Sequence, residues 1–146
     1  MKFKMLLLWC MQIAWIYVFQ SCSTDDQETS ATPELFQTWL LDGYGNDSDF
    51  RQMAQSGEEY DYYITLAPGD TMEGRSRCNV IYGKYRCDGR SFVFTYISGT
   101  KVGCFEETTV FFDAHLPKVS RYKIDNNARL RLYYSESEYL RFRTMY

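Results

Sequence analysis

Two alternating runs joined by Asp88-Gly89 constrain this chain more than any other stretch. Asp-Gly between runs rich in aromatic and β-branched residues is a strong hairpin signal, because both positions tolerate positive φ. In the second run, 91–97, Phe92, Phe94 and Tyr96 share a parity against Ser91, Val93 and Thr95, the period of a strand with one buried face. Other segments repeat the pattern. Segment 35–41 is a first strand with Trp39 as a core anchor, and 60–66 places Tyr62, Ile64 and Leu66 on one side. Pro68-Gly69-Asp70 turns the chain into a strand over 71–75. Three more strands, 119–125, 128–134 and 138–143, finish it. The polar, glycine-bearing stretch 42–59 reads as a long surface connection, with a short helix over 47–55 as an option inside it.

One segment changes period. Phe105, Thr109, Phe112 and Leu116 recur at helical steps, Glu106 and Glu107 fall in the first turn where the dipole favours negative charge, and Pro117 closes it. The 13 Tyr and 10 Phe against 3 Pro suit pleated, half-buried faces. The expectation is a mainly β fold: an antiparallel barrel-like or sandwich domain of about eight short strands with one short helix. No internal repeat is present.

The N-terminus is organised differently. Lys2 and Lys4 precede an apolar run, 5–19, broken only by Gln12, and Gln20-Ser21-Cys22 follows. That is the layout of a secretory signal peptide, and the run is shorter than the ~20 residues of a spanning helix. Ser21-Cys22, with Asp25, Asp26 and Glu28 just after it, resembles the lipoprotein signal of Bacteroides-type surface lipoproteins, in which the cysteine carries acyl chains. Chains of this kind hold by burial of ~0.8 kcal/mol per CH₂. Three regions result: a signal peptide over 1–21, a polar tether over 22–34, and a domain over 35–146. The resemblance implies an outer-membrane or cell-surface location, with the membrane as a partner through Cys22.

Gly74, Cys78-Asn79, Gly83-x-Tyr85, Gly89 and Thr100-x-Val102-x-Cys104 occur in that order. Phe112, Leu116, Val119, Tyr122, Leu130-x-Leu132 and Leu140-x-Phe142 follow, with Trp39 at the front. This ordered set resembles the META domain family, which includes a bacterial heat-shock protein. It implies a compact β-rich fold and no enzymatic activity. Arg77 stands where the family often has Gly, Val102 replaces the usual Met, and Thr109 occupies a position commonly filled by Glu.

Catalytic and metal chemistry find little support. The glycines match neither G-x-G-x-x-G nor G-K-S/T spacing. His115 is the one histidine, no C-x-x-C pair is present, and Glu58-Glu59 and Glu106-Glu107 adjoin, so their side chains diverge. We expect no catalytic residues, no cofactor and no metal. Outside the cytoplasm two of Cys78, Cys87 and Cys104 should pair. Cys78–Cys104 is preferred and would contribute roughly 3–4 kcal/mol; Cys78–Cys87 is the alternative, and Cys87 has no assigned role.

Charge gives the sharpest functional pointer. The formal balance is −3, and −5 without Lys2 and Lys4, which argues against nucleic acid. Yet Arg121, Lys123, Arg129, Arg131, Arg141 and Arg143 all fall on the outward parity of the last three strands. They read as a face for an anionic envelope component or protein, or as ordinary outward charge that solubilises a sheet. Tyr44, Tyr60, Tyr62, Tyr63, Tyr82 and Tyr85 read as core or as an aromatic ligand surface. The functional expectation is a non-catalytic interaction or envelope-maintenance module. Its alternative is a lipocalin-like carrier, which needs an apolar cavity of roughly 300 Å³ or more; a module would be filled by Phe92, Phe94, Leu132 and Phe142.

Overall fold

The alternation resolves into a ring of strands that closes on itself. The computed structural model describes residues 31–53, 61–103 and 105–145. Among them lie β1 Thr38–Gly45, β2 Phe50–Gln52, β3 Tyr62–Ala67, β4 Thr71–Ser76, β5 Asn79–Asp88, β6 Ser91–Gly99, β7 Arg121–Ile124, β8 Arg129–Tyr133 and β9 Tyr139–Thr144. One helix, α1 Glu107–His115, and two 3-10 turns, Pro33–Leu35 and Leu116–Lys118, complete the described elements. All pairings are antiparallel. They run β1-β3-β4-β5-β6-β7-β8-β9, and β9 returns to β1. A closed ring removes the free sheet edges that invite aggregation.

β1 makes closure work because it serves three partners. β9 pairs along one edge from Trp39↔Thr144 to Gly45↔Tyr139. On the other edge β3 takes the first half, Thr38–Leu40, and β2 takes the second, Gly43–Gly45. The ring is thinnest between β6 and β7. There the ladder has one register pair, Ser91↔Arg121, flanked by Phe92 N–H to the Ser120 carbonyl (3.2 Å) and Tyr122 N–H to the Arg90 carbonyl (3.0 Å).

The interior is filled by side chains of the expected parity. Trp39, Phe92, Phe112, Phe142, Ile64, Leu130 and Leu132 are fully buried. Tyr85 stacks on Phe92 at 5.1 Å, Phe94 meets Phe92 edge-on at 5.1 Å, and Phe112 bridges Tyr62 and Phe142. Phe94 is only partly buried.

Several boundaries differ from the sequence expectation, each for a local reason. Pro33 starts a 3-10 turn, so β1 begins at Thr38 and the Leu35 carbonyl accepts the Trp39 indole N–H at 3.0 Å. β1 then continues through Asp42-Gly43-Tyr44-Gly45, which polarity had marked as connection. Asp42 is the extra residue of a β-bulge, since Leu41 faces Phe142 while Gly43 already faces Arg141. Asn46 and Asp49 then close a turn into β2, the Asn46 side chain accepting both the Ser48 and Asp49 N–H at 2.8 Å. A helix from 47 is therefore overturned; 54–60 lie outside the described residues. At Gly43 an added Cβ would lie 2.5 Å from the Phe50 ring, so only glycine lets that ring lie against β1.

In the central hairpin the two loop residues are Gly89-Arg90, because Asp88 pairs with Ser91. Gly89 alone of the two has positive φ, +56°, the II′ rather than I′ pattern. A second bulge, where Lys84↔Tyr96 is followed by Tyr85↔Phe94, reverses the parity beyond Thr95 and turns Tyr96 outward. Phe105 lies outside α1 and is 94% exposed, so the buried stripe is Thr108, Thr109, Phe112 and Leu116.

Candidate functional site

Strand register gathers the predicted basic residues on one outer face. Arg129 lies opposite Arg143, Arg131 opposite Arg141, and Lys123 opposite Arg131, with Arg121 on the same β7 face. Like charges directly opposite destabilise a sheet, so such a ladder needs counter-charge. The β1 bulge and the β1–β2 turn supply it. One Asp42 oxygen takes both Arg141 Nε (2.8 Å) and Nη2 (2.7 Å) and lies 3.4 Å from Arg129 Nη1. Its other oxygen accepts Gln52 Nε2 at 2.8 Å. Asp47 accepts Arg131 Nη1 and the Tyr139 hydroxyl, each at 2.9 Å, and Asp125 lies 3.9 Å from Arg131 Nη2. The Tyr139 hydroxyl first, then the Arg131 and Lys123 charges, hold the Asp47 carboxyl below its usual range.

Aromatic rings complete the layer. The guanidinium of Arg121 sits 3.6 Å over Tyr133, that of Arg141 3.9 Å over Phe50, and that of Arg131 4.7 Å over Tyr139. Much of the basic face is thus an adhesive that fastens the β1–β2 hairpin to β8 and β9. Sequence reasoning found the cations and missed Asp42 and Asp47. The signal was available in an acidic residue breaking the apolar run Trp39-Leu40-Leu41.

Beside this face, at the thin β6–β7 seam, lies a groove of about 390 Å³. Arg90, Arg121 and Lys123 line it, with Glu34 and Thr32 on the wall where the chain enters the domain. Its Tyr122 hydroxyl is close enough to Thr32 and to the buried Cys87 thiol to act on both. Burial pushes that thiol up, against the opposing pull of the Tyr122 hydroxyl, so Cys87 is a poor nucleophile. Cys87 is the free cysteine among the described residues, and Cys78 is not free. Cys104 lies outside them. Asn79, next to Cys78, opens β5, and its buried amide oxygen accepts the Val102 N–H at 2.7 Å. The turn before it places Arg77 at positive φ, +45°.

The remaining candidates have structural partners. His115 ends α1, its Nδ1 2.8 Å from the Phe111 carbonyl and its ring stacked on Phe111. Glu106 binds Arg77 and Glu107 binds Arg51, so the two carboxylates do diverge. Among the described residues no three His, Cys, Asp or Glu side chains converge for a metal, and no helix is long and apolar enough to cross a membrane. Tyr44, Tyr62 and Tyr85 are buried and Tyr82 is exposed; Tyr60 lies outside the described residues.

A buried tyrosine, Tyr85, and a half-buried one, Tyr134, make a pH prediction. Burial, with Asp70 and Cys87 adding to it, pushes Tyr85 up to about 12, and burial with Glu138 and Tyr44 does the same for Tyr134. Both folded values lie above the ordinary ~10, so their stabilisation is intact below about pH 10 and is lost as pH rises through about 12. An ultraviolet titration should show late-ionising tyrosines whose ionisation coincides with unfolding, and Tyr85→Phe should remove part of that alkaline loss. Ionisation of every tyrosine in one step near pH 10, with the fold intact, would contradict it.

Comparison with known proteins decides the family. The META domain model matches residues 34–145, nearly the whole described structure. The chain belongs to the META domain family. Its fold is similar to the NMR structure of a protein from Burkholderia xenovorans, with a TM-score of 0.61 at 18% identity over 75% of this chain and 82% of that one. It is also similar to the crystal structure of a DUF4847 family protein from Bacteroides vulgatus, with a TM-score of 0.55 at 17% identity over 76% and 94%. No curated protein sequence matches it. In this META domain the family framework is the core: Trp39, Tyr85, Phe112, Leu116, Val119, Leu130, Leu132, Leu140 and Phe142 are all buried.

Proposed function

We propose that this META-domain chain is a non-catalytic lipoprotein of the bacterial envelope, anchored through Cys22 at the outer membrane or cell surface, that engages an anionic partner. The observation that carries the reading is the register of β7, β8 and β9, which aligns Arg121, Lys123, Arg129, Arg131, Arg141 and Arg143 on one outer face. An interior packed with aromatic rings supports a module rather than a carrier of an apolar ligand. A Cys78–Cys104 bridge belongs to the same proposal. The Asn79–Val102 hydrogen bond draws the two cysteine-bearing segments together, and the disulfide state of Cys78 is in keeping with it.

The test is retention of envelope components by the lipidated protein. Arg129, Arg131 and Arg141 hold Asp42 and Asp47, so their removal would confuse binding with folding. Lys123→Gln combined with Arg143→Gln leaves those bridges in place. The double variant should lose about fivefold in partner retention for each charge removed. Unchanged retention would sink the anionic-partner reading.

A further inference from the structure

We infer that the groove at the β6–β7 seam seats the phosphate of an anionic phospholipid headgroup, laying the domain against the membrane that holds its tether. This rests on the anchored reading above and adds to it a site, a ligand class and an orientation. Three observations meet at the groove.

Its charge is the first. Arg90, Arg121 and Lys123 line the groove against a single carboxylate, Glu34. Unlike the arginines facing Asp42, neither Arg90 nor Lys123 has a salt bridge among the described residues, although the Lys123 charge is felt at Asp47. Arg121 is held over the Tyr133 ring and donates to the Glu136 backbone carbonyl, so its position is fixed while its charge persists.

The second is the interrupted ladder. Tyr122 N–H crosses the seam to the Arg90 carbonyl, whereas Asp125 N–H returns to Arg129 on β8. The period of two therefore turns the Ile124 N–H toward the seam, beyond the last register pair. A backbone donor in a groove lined by Arg90 and Lys123 suits a phosphate. The volume, about 390 Å³, falls in the roughly 300–1,000 Å³ range of small-ligand sites.

The third is the tether. Thr32 and Glu34 form the groove's entry wall, and Cys22 precedes Thr32 by ten residues. Even fully extended, that length spans at most about 35 Å. The groove is thus the part of the domain held nearest the anchor, where a basic site adds a second membrane signal to the acyl chains.

The lipidated mature protein, reconstituted into vesicles, tests this. Acetylation of Lys123 is compared with that of Lys84 and Lys101 by mass spectrometry, in phosphatidylcholine vesicles with and without phosphatidylglycerol. Lys123 should be protected about fivefold or more only where phosphatidylglycerol is present. High salt and Arg90→Gln should each abolish that protection. Equal labelling in both vesicles overturns the proposal. So does protection in both vesicles that is relieved by Asp25→Asn, Asp26→Asn and Glu28→Gln together, which would assign the groove to the acidic tether. An intact mass without acyl chains defeats the anchored reading first, a result distinct from either labelling outcome.

Discussion

Asp42→Ala is expected to destabilise the domain by about 3–5 kcal/mol, the range for removing one partner of a buried ion pair. Arg141 is the reason. Its side chain is 14% exposed, and two of its guanidinium nitrogens converge on one Asp42 oxygen. Without the carboxylate that charge stays buried beside Arg129 and across the ladder from Arg131, with the Phe50 ring over it. Gln52 also loses an acceptor, which loosens β2. Urea unfolding should record the loss, and Asp42→Asn should recover part of it. Asp42→Leu with Arg141→Met should recover most, because a buried pair exchanged for packed apolar groups is often near neutral. A loss below about 1 kcal/mol for Asp42→Ala would show that solvent already screens the pair.

Trp39→Ala should cost a similar amount, about 3–5 kcal/mol, by a different mechanism. Trp39 is fully buried, and its indole N–H satisfies the Leu35 carbonyl where the chain enters the ring. Alanine leaves a cavity in the ring interior beneath β1 and removes one of the two donors to that carbonyl, which keeps the Gln37 N–H at 2.9 Å. Trp39→Phe separates the two effects: it keeps most of the packing and should lose only the roughly 0.5–1.5 kcal/mol of one hydrogen bond, since the carbonyl retains the Gln37 N–H. Thermal unfolding with calorimetric enthalpy measures both. A Trp39→Phe loss as large as that of Trp39→Ala would mean that the hydrogen bond dominates the packing. Either alanine variant alone would remove a large share of the 5–15 kcal/mol typical of a native domain.

What could be read from the chain follows from what each signal depends on. Leu130, Leu132, Leu140 and Phe142 were legible as core because parity depends only on neighbours two residues apart. The same parity set Arg129, Arg131, Arg141 and Arg143 outward, and the register agrees. Parity fails at a bulge. Tyr96 lies outward because Thr95 is an extra residue in β6, and Asp42 became a charge hub for the same reason in β1. Alternation alone places neither bulge, since each is imposed by pairing with a neighbouring strand and by the curvature of the ring. The stretch 42–52 was misread on similar grounds. Its polarity described the outer face of a hairpin packed on the ring, not a loop in solvent.

The strand-rich class, the family framework and the outward parity of the basic residues are all legible along the chain. These are local properties, set by alternation, turn chemistry and the spacing of large apolar side chains. Which of those cations carry a carboxylate partner depends on the closed ring. Asp42 and Asp47 lie far from Arg129, Arg131 and Arg141 in the chain, and closure of β9 onto β1 brings them together. The β6–β7 groove arises in the same way, where strands that are distant in sequence meet along a single register pair.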